Sequence, residues 1–527
     1  MESDASVPFA RFAALSGRVA GERGRNAKIA RLADFLGSLR GRDVLVGASY
    51  CAGELPQGKV GVGYATIRAI ASDAPPPPAL GTLSLRELDQ EIEALAALEG
   101  AGSAKRRKEI LTGLLARATA QERDVLLALL VSELRQGALA SLMLEAVAQL
   151  VGAPPARVRR AAMLAGSEVL AAHVALTEGA LALERFVLTP FTPVLPMLAS
   201  PCADPGEALE IHGEALFELK LDGARIQAHR EGEVVRVWSR AMNEVTERVP
   251  EVVAAVRAMP ATRAILDGEA IALRDDGSPA PFQVSMQRFG RTRGVEDKAR
   301  SLPLTPFFFD VLLVDDTVLL DAPLSLRRAE LVRLVGEGGL ARVPRSVRTR
   351  DADEAERLYA EVVAAGHEGL VAKSLEGLYE AGHRGSAWLK IKPAHTLDLV
   401  VLAVERGSGR RTGTLSNIHL GARDPSANGG FAMVGKTFKG MTDAMLAWQT
   451  RRFAELARDP AMLADPSAWS LALRPEQVVE VALNGVQVSS EYASGVALRF
   501  ARVRRYRDDK RAEDASTIDE VRALLPR

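Results

Sequence analysis

Apolar positions recur at helical spacing from the start of the chain to about residue 185. The clearest stretch begins at Ser84. There Ser84 and Glu87 form a capping-box pattern, and Leu85, Leu88, Ile92 and Leu95 fall on one helical face. Arg123 to Leu150, rich in alanine and leucine, keeps a similar period and predicts a further helical run. Pro75 to Pro78 read as a short stiff loop between helices. No internal repeat is visible, and residues 1–187 are expected to be helical.

The texture changes after Val187, and the proline-rich segment Pro190 to Pro196 marks a boundary. Strand-like runs follow at Phe217–Leu221, Val234–Ser239, Ala264–Ala272, Pro306–Val314, Leu370–Lys373 and Trp388–Lys392. Helical patterns interleave them at Val249–Met259 and Leu326–Leu334, so residues 188–394 read as a mixed α/β domain. After Pro393 the runs Leu397–Val404, Ile418–Gly421, Phe431–Val434, Gln477–Leu483 and Ala497–Arg504 predict five strands. With one helix at Asp443–Leu456, residues 395–527 fit a small oligonucleotide-binding (OB) barrel.

A length of 527 residues suits three or four domains, each able to bury a core without disulfides or structural metal. Lysine plus arginine and aspartate plus glutamate both number 67, leaving no net charge. That balance argues against passive coating of nucleic acid. It favours basic faces on selected segments, such as Lys105 to Lys108 and Arg502, Arg504, Arg505 and Arg507, set against acidic Asp351 to Glu356. Taken singly, each cluster is also what a solvated face looks like. Cys51 and Cys202 are too few for a disulfide framework or a four-cysteine zinc site, and fit a reducing compartment. No apolar run approaches membrane-spanning length and Met1 to Asp4 lack a signal pattern, so a cytoplasmic location is expected. Heavy use of Ala, Arg, Leu and Val resembles the output of a GC-rich bacterial genome.

The stretch Phe217–Glu218–Leu219–Lys220–Leu221–Asp222–Gly223–Ala224–Arg225 carries the chemistry. Strand side chains alternate, so Phe217, Leu219 and Leu221 are expected to face a core while Glu218, Lys220 and Asp222 share the other face. Gly223 then permits a tight turn where a ligand approaches. A lysine flanked by carboxylates and followed by glycine and arginine suits attack on a phosphate.

Lys220–Leu221–Asp222–Gly223–Ala224–Arg225 resembles the Lys-x-Asp-Gly-x-Arg signature of the covalent nucleotidyltransferases, which include DNA ligases, RNA ligases and mRNA capping enzymes. Five more stretches resemble later motifs of that superfamily, in order: Val237 to Arg240, Leu266 to Glu269, Glu368 to Lys373, Trp388 to Lys392 and Arg507 to Lys510. Among its members the chain is most similar to the ATP-dependent DNA ligases of bacterial and archaeal three-domain form. The resemblance implies an all-α DNA-binding domain, then an adenylation domain of α/β (α+β), ATP-grasp-like nucleotidyltransferase type, then an OB-fold barrel. Glu133 to Ala138 resembles part of the family's DNA-binding domain. Ala501–Arg502–Val503 departs from the family, which often has proline before that arginine and an aromatic after it.

The resemblance also assigns roles. Lys220 attacks the α-phosphate of ATP and keeps AMP as a phosphoramidate. Lys390 and Lys392 sit on the α-phosphate, while Glu269 and Glu368 offer oxygens to Mg²⁺ or ribose. Glu218 reads the base edge and Phe309 stacks on adenine. Phe308 points the other way, and it and Phe307 are expected in the core. Arg225, Arg240 and Arg384 are suited to phosphate forks. Arg507 and Lys510 take the pyrophosphate end of ATP from a mobile barrel. Lys373, on the opposite parity from Glu368, is left out, and His229 and His383 are read as structural or exposed.

The expected activity is sealing of nicked double-stranded DNA, in replication, repair or recombination, by a monomer using ATP and Mg²⁺. Capping enzymes do not usually carry so large a helical segment, NAD-dependent ligases append a cysteine cluster, and RNA ligases tend to lack the first domain. A non-catalytic nick-binding clamp would be expected to have lost the lysine or a metal-type glutamate, and both are intact.

Overall fold

The computed structural model describes residues 6–525 except 59, 101, 133, 135–139, 366, 381–384, 394, 408–410, 412, 428–429 and 466–467. Two compact units result. One comprises Met1–Ser200, Asp222–Arg345 and Lys373–Leu389; the other comprises Pro201–Leu221, Ser346–Ala372 and Lys390–Arg527.

In chain order the strands are β1 (Ser200–Cys202), β2 (Ala215–Leu219), β3 (Ala224–Glu231), β4 (Val234–Ser239), β5 (Arg263–Ala272) and β6 (Leu304–Val314). Next come β7 (Thr317–Val318), β8 (Ser346–Thr349), β9 (Leu370–Ser374), β10 (Trp388–Ile391), β11 (His395–Arg406) and β12 (Leu415–Arg423). The last are β13 (Phe431–Thr437), β14 (Ser470–Ala472), β15 (Val478–Leu483), β16 (Gly485–Val488), β17 (Val496–Arg499) and β18 (Arg502–Arg507).

In the first unit, the described residues from Phe9 to Arg185 form helices joined by turns and loops, with an isolated bridge from Ser84 to Pro8, around a core that includes Phe9, Phe12, Leu32 and Tyr50. The helix expected at Ser84 spans Leu85–Ala96. It carries the full capping box, and Leu85, Leu88, Ile92 and Leu95 are all fully buried. The expected run from Arg123 to Leu150 is instead two helices, Ala120–Leu130 and Ala140–Leu150. The first ends where Ser132 takes a left-handed conformation (φ 54°), which cannot continue a right-handed helix. Of the stretch Glu133 to Ala138, all but Leu134 lies outside the described residues.

The same unit contains an antiparallel sheet ordered β4-β3-β5-β6-β7. Helices Pro250–Arg257, Phe282–Phe289 and Leu324–Val335 pack on it and bury Ile226, Ala228, Val237, Leu266 and Phe308. β3 had no counterpart among the expected strands.

In the second unit β2 lies between β8 and β9, within a sheet ordered β1-β10-β9-β2-β8. The C-terminal sheet is antiparallel, ordered β13-β12-β11-β15-β18, with β14 also on β11 and β16-β17 a separate hairpin. Its core gathers Leu399, Val401, Ile418, Phe453 and Val481. The helix Asp443–Leu456 stands as expected. The expected single strand Ala497–Arg504 is two, β17 and β18. Phe500, at φ 56°, breaks the run, so one part pairs β16 and the other pairs β15.

Candidate active site

β2 is an interior strand whose residues from Ala215 to Glu218 are all buried. It ends at Leu219, two residues earlier than expected, so the simple alternation fails: Glu218 is buried and Leu219 only half-buried. Lys220 follows at once, its backbone N–H still donating to the Gly369 carbonyl (2.9 Å). Gly369 has φ +126°, and a Cβ there would stand 2.1 Å from the Ile391 carbonyl oxygen. Only glycine fits so close to β10, which explains the glycine after Glu368.

That approach brings three predicted residues together in the second unit. The Lys220 Nζ is 2.5 Å from Glu368 Oε2. Lys392 Nζ donates to Glu368 Oε1. One carboxylate therefore bridges two ammonium groups, all three partly shielded from water. Lys390 is half-buried between the buried Leu389 and Ile391.

The first unit holds a second group. Gly223 sits hard against β5, where a Cβ would meet the Ala270 carbonyl oxygen at 2.6 Å, and its N–H donates to Glu269 Oε1 (3.0 Å). Arg225 donates from Nε and Nη2 to both oxygens of Asp267 (3.1 and 2.7 Å) and from Nη1 to the Met197 carbonyl (2.7 Å). The fork expected to hold a phosphate is thus engaged by Asp267. Burial disfavours the Arg225 charge, but Asp267 more than offsets it and holds the guanidinium firmly protonated. The Tyr379 hydroxyl donates to the same carboxylate (2.7 Å), and burial, with that charge, pushes its phenol well above the usual range.

Phe308 is fully buried as expected, and Phe309 faces the other way. Phe307 is a correction: it is only half-buried, with the Arg342 guanidinium 5.8 Å from its ring centre. Phe309 meets the Trp388 ring edge-on (5.8 Å). Lys373, left out by parity, is buried beside them. Its Nζ lies 4.9 Å from the Phe309 ring centre and 4.6 Å from that of Trp388, and donates to the Phe309 carbonyl (3.2 Å). No periodicity announces a buried ammonium. Arg240 is exposed beyond β4, and Arg384 and His383 lie outside the described residues. His229 is structural: fully buried, it accepts the Phe191 N–H (2.9 Å), and burial pushes its imidazole down to about 3.

In the second unit Arg507 and Lys510 converge on one residue that sequence reasoning missed, Asp398 of β11. Arg507 Nη1 is 3.3 Å from each Asp398 carboxylate oxygen, and Lys510 Nζ is 2.6 Å from Oδ2. A lone acid inside the apolar run Leu397–Val401 was the available signal.

Among the described residues no group of three or more His, Cys, Asp or Glu could hold a metal ion by itself. Mg²⁺, however, commonly uses one or two carboxylates plus substrate phosphates. Glu368, already the counter-charge to two cations, fits such a part.

Family models match three stretches in order. These are DNA ligase N terminus over residues 64–148, ATP dependent DNA ligase domain over 196–392, and ATP dependent DNA ligase C terminal region over 411–510. A probable DNA ligase of Anaeromyxobacter dehalogenans (strain 2CP-C) is 56% identical over 517 residues, covering 98% of this chain and 99% of its own. The chain belongs to the ATP-dependent DNA ligase family. A probable DNA ligase of Mycolicibacterium gilvum (strain PYR-GCK) is 51% identical over 98% of each chain. Among solved structures, Pmar-Lig_PreS3 aligns at a TM-score of 0.61, covering 94% of this chain and 99% of its own; at 17% identity the likeness is one of fold. In the ligase, Lys220, Arg225, Glu269, Glu368, Lys390 and Lys392 all fall inside the 196–392 match, and Arg507 and Lys510 inside the 411–510 match.

Proposed function

We propose that this ligase seals nicks in duplex DNA by carrying AMP on Lys220. The observation that carries the reading is the Lys220–Glu368–Lys392 bridge in a member of this family. In the first step the neutral Lys220 amine attacks the α-phosphorus of ATP. A P–N bond forms, the bond to the bridging oxygen breaks, and pyrophosphate departs. Glu368, in contact with the Lys220 Nζ, orients the amine, and the proton the amine must lose passes to solvent. Lys392 and Lys390 supply positive charge for the phosphoryl oxygens as they become more negative. Mg²⁺ held by Glu368 and phosphate oxygens would neutralise charge on the triphosphate.

In the second step an oxygen of the nick's 5′-phosphate attacks the same phosphorus and Lys220 leaves. In the third, the 3′-hydroxyl attacks the activated 5′-phosphate and AMP leaves. Phe309 stacks on the adenine, Glu218 reads its edge and Glu269 serves the ribose. Arg225, engaged by Asp267, acts by holding that carboxylate and the Met197 carbonyl in place, while Arg240 and Arg384 suit phosphates. Residues 1–187 would bind duplex as a helical domain, 188–394 adenylate, and 395–527 close as an OB barrel, in a monomer. Such contacts go mainly to phosphate and sugar, so sequence preference is minimal.

The test is sealing of end-labelled nicked substrates by the full chain with Mg²⁺. Joining of nicked DNA with ATP, absent with NAD⁺ or on nicked RNA, is expected. Joining driven equally by NAD⁺, or confined to RNA, contradicts the reading.

A further inference from the structure

Resting on the reading that Arg507 and Lys510 take the pyrophosphate end of ATP, we propose that Asp398 is the fixed anchor that positions both cations. Asp509 is then a displaceable stand-in for the incoming phosphate.

The Arg507 guanidinium is divided between two carboxylates. Its Nε and Nη2 point at Asp509, at 2.8 and 2.6 Å. That paired edge is the one a phosphate grips through two parallel hydrogen bonds. Its remaining arm, Nη1, reaches Asp398. Glu480 stands further off, 3.6 Å from Nη1, and is already paired with Arg505 at 2.9 Å.

The two partners differ in how firmly they are held. Asp509 lies just past the end of β18, with its side chain 64% exposed. Leaving Arg507 costs it little, because water receives its charge. The Asp398 side chain is 16% exposed and springs from the interior of β11, opposite Glu480. Its backbone is tied on both sides by Ser516: Asp398 N–H donates to the Ser516 hydroxyl (3.3 Å), and Ser516 N–H donates to the Asp398 carbonyl (2.7 Å). A carboxylate so fixed sets the separation of Arg507 and Lys510. Beside them a cavity of about 610 Å³, lined also by Arg452 and Arg511 and by the acids Glu476, Asp508 and Glu513, is large enough for a polyphosphate, and its four cations outnumber its three acids. With Asp509 displaced, Arg507 and Lys510 outweigh Asp398 by one positive charge, and the grip edge of Arg507 is open.

The assignment makes the two acids behave oppositely in the first step only. In the full chain, Asp398→Asn should slow lysyl-adenylate formation and raise KM for ATP, together by roughly ten-fold or more. Sealing of nicked DNA that already bears a 5′-adenylate, which uses no pyrophosphate, should stay within about two-fold. Asp509→Asn should form the adenylate at least as fast as wild type. In a Lys510→Ala background the added effect of Asp398→Asn should shrink, because the anchor acts through that side chain. An Asp398→Asn protein that labels like wild type overturns the proposal, as do equal losses in both steps and strict additivity with Lys510→Ala. Should Asp398→Asn lower the melting temperature, the cycle run below both transitions still decides. A wild-type chain that takes no label at all refutes the adenylation reading itself.

Discussion

Lys373 shows how a residue outside the reacting set shapes it. Its ammonium is buried against the Phe309 and Trp388 rings and donates to the Phe309 carbonyl, so it fixes the aromatic side chain proposed for the adenine. Lys373→Met should raise KM for ATP several-fold while changing the maximal rate of adenylate formation little; an unchanged KM contradicts this role. His229 makes a pH-dependent contribution to stability. The folded imidazole titrates near 3 because of burial, against about 6.5 when unfolded. Below pH 6.5 the unfolded chain takes up a proton that the folded one refuses, so stability falls with acidification down to about pH 3. The slope is up to about 1.4 kcal/mol per pH unit. Denaturant unfolding at pH 7 and pH 5 should show a smaller loss in His229→Asn than in wild type; equal losses contradict the assignment. At this scale the grouping of Lys220, Glu368 and Lys392 was legible, because the motifs that contain them have a chemical spacing. The buried Lys373 and Tyr379 and the half-buried Asp398 were not, since what they do depends on partners distant in sequence.

Among the elements, β6 presents Phe309 because its next residue is locked. Asp310 takes Arg327 Nε and Nη2 at 2.7 and 3.0 Å, with both side chains fully buried, and Arg327 Nη1 bonds the Ala322 and Gly377 carbonyls. Arg327→Met strands the Asp310 charge in the core and should cost roughly 3–5 kcal/mol. Chemical unfolding of the first unit's signal reads it, and a loss under about 1 kcal/mol would contradict the packing described. Strands with uniform apolar runs were legible to within about three residues at their ends. β3 was invisible because Gln227, His229 and Arg230, polar in sequence, are buried and satisfied by hydrogen bonds. The Ala497–Arg504 run concealed a break, since a left-handed Phe500 leaves no mark in the hydrophobic pattern.

For the whole molecule, two changes of texture divide the sequence into three stretches, and each stretch contains one of the three ligase segments matched by the family models. The helical, mixed and strand-rich characters were each readable because their apolar periods differ. Pairing order and the close approach at Gly369 were not readable, being properties of strands that meet only in the fold. The proposed chemistry turns on the Lys220 amine becoming bonded to phosphorus. Intact-protein mass spectrometry of the full chain, after incubation with ATP and Mg²⁺ and then with pyrophosphate, tests it most directly. The expected result is a gain of one adenylyl group, mapped to the peptide containing Lys220, reversed by pyrophosphate and absent in Lys220→Ala. An adduct that persists in Lys220→Ala, or nick sealing by that variant at the wild-type rate, would contradict it.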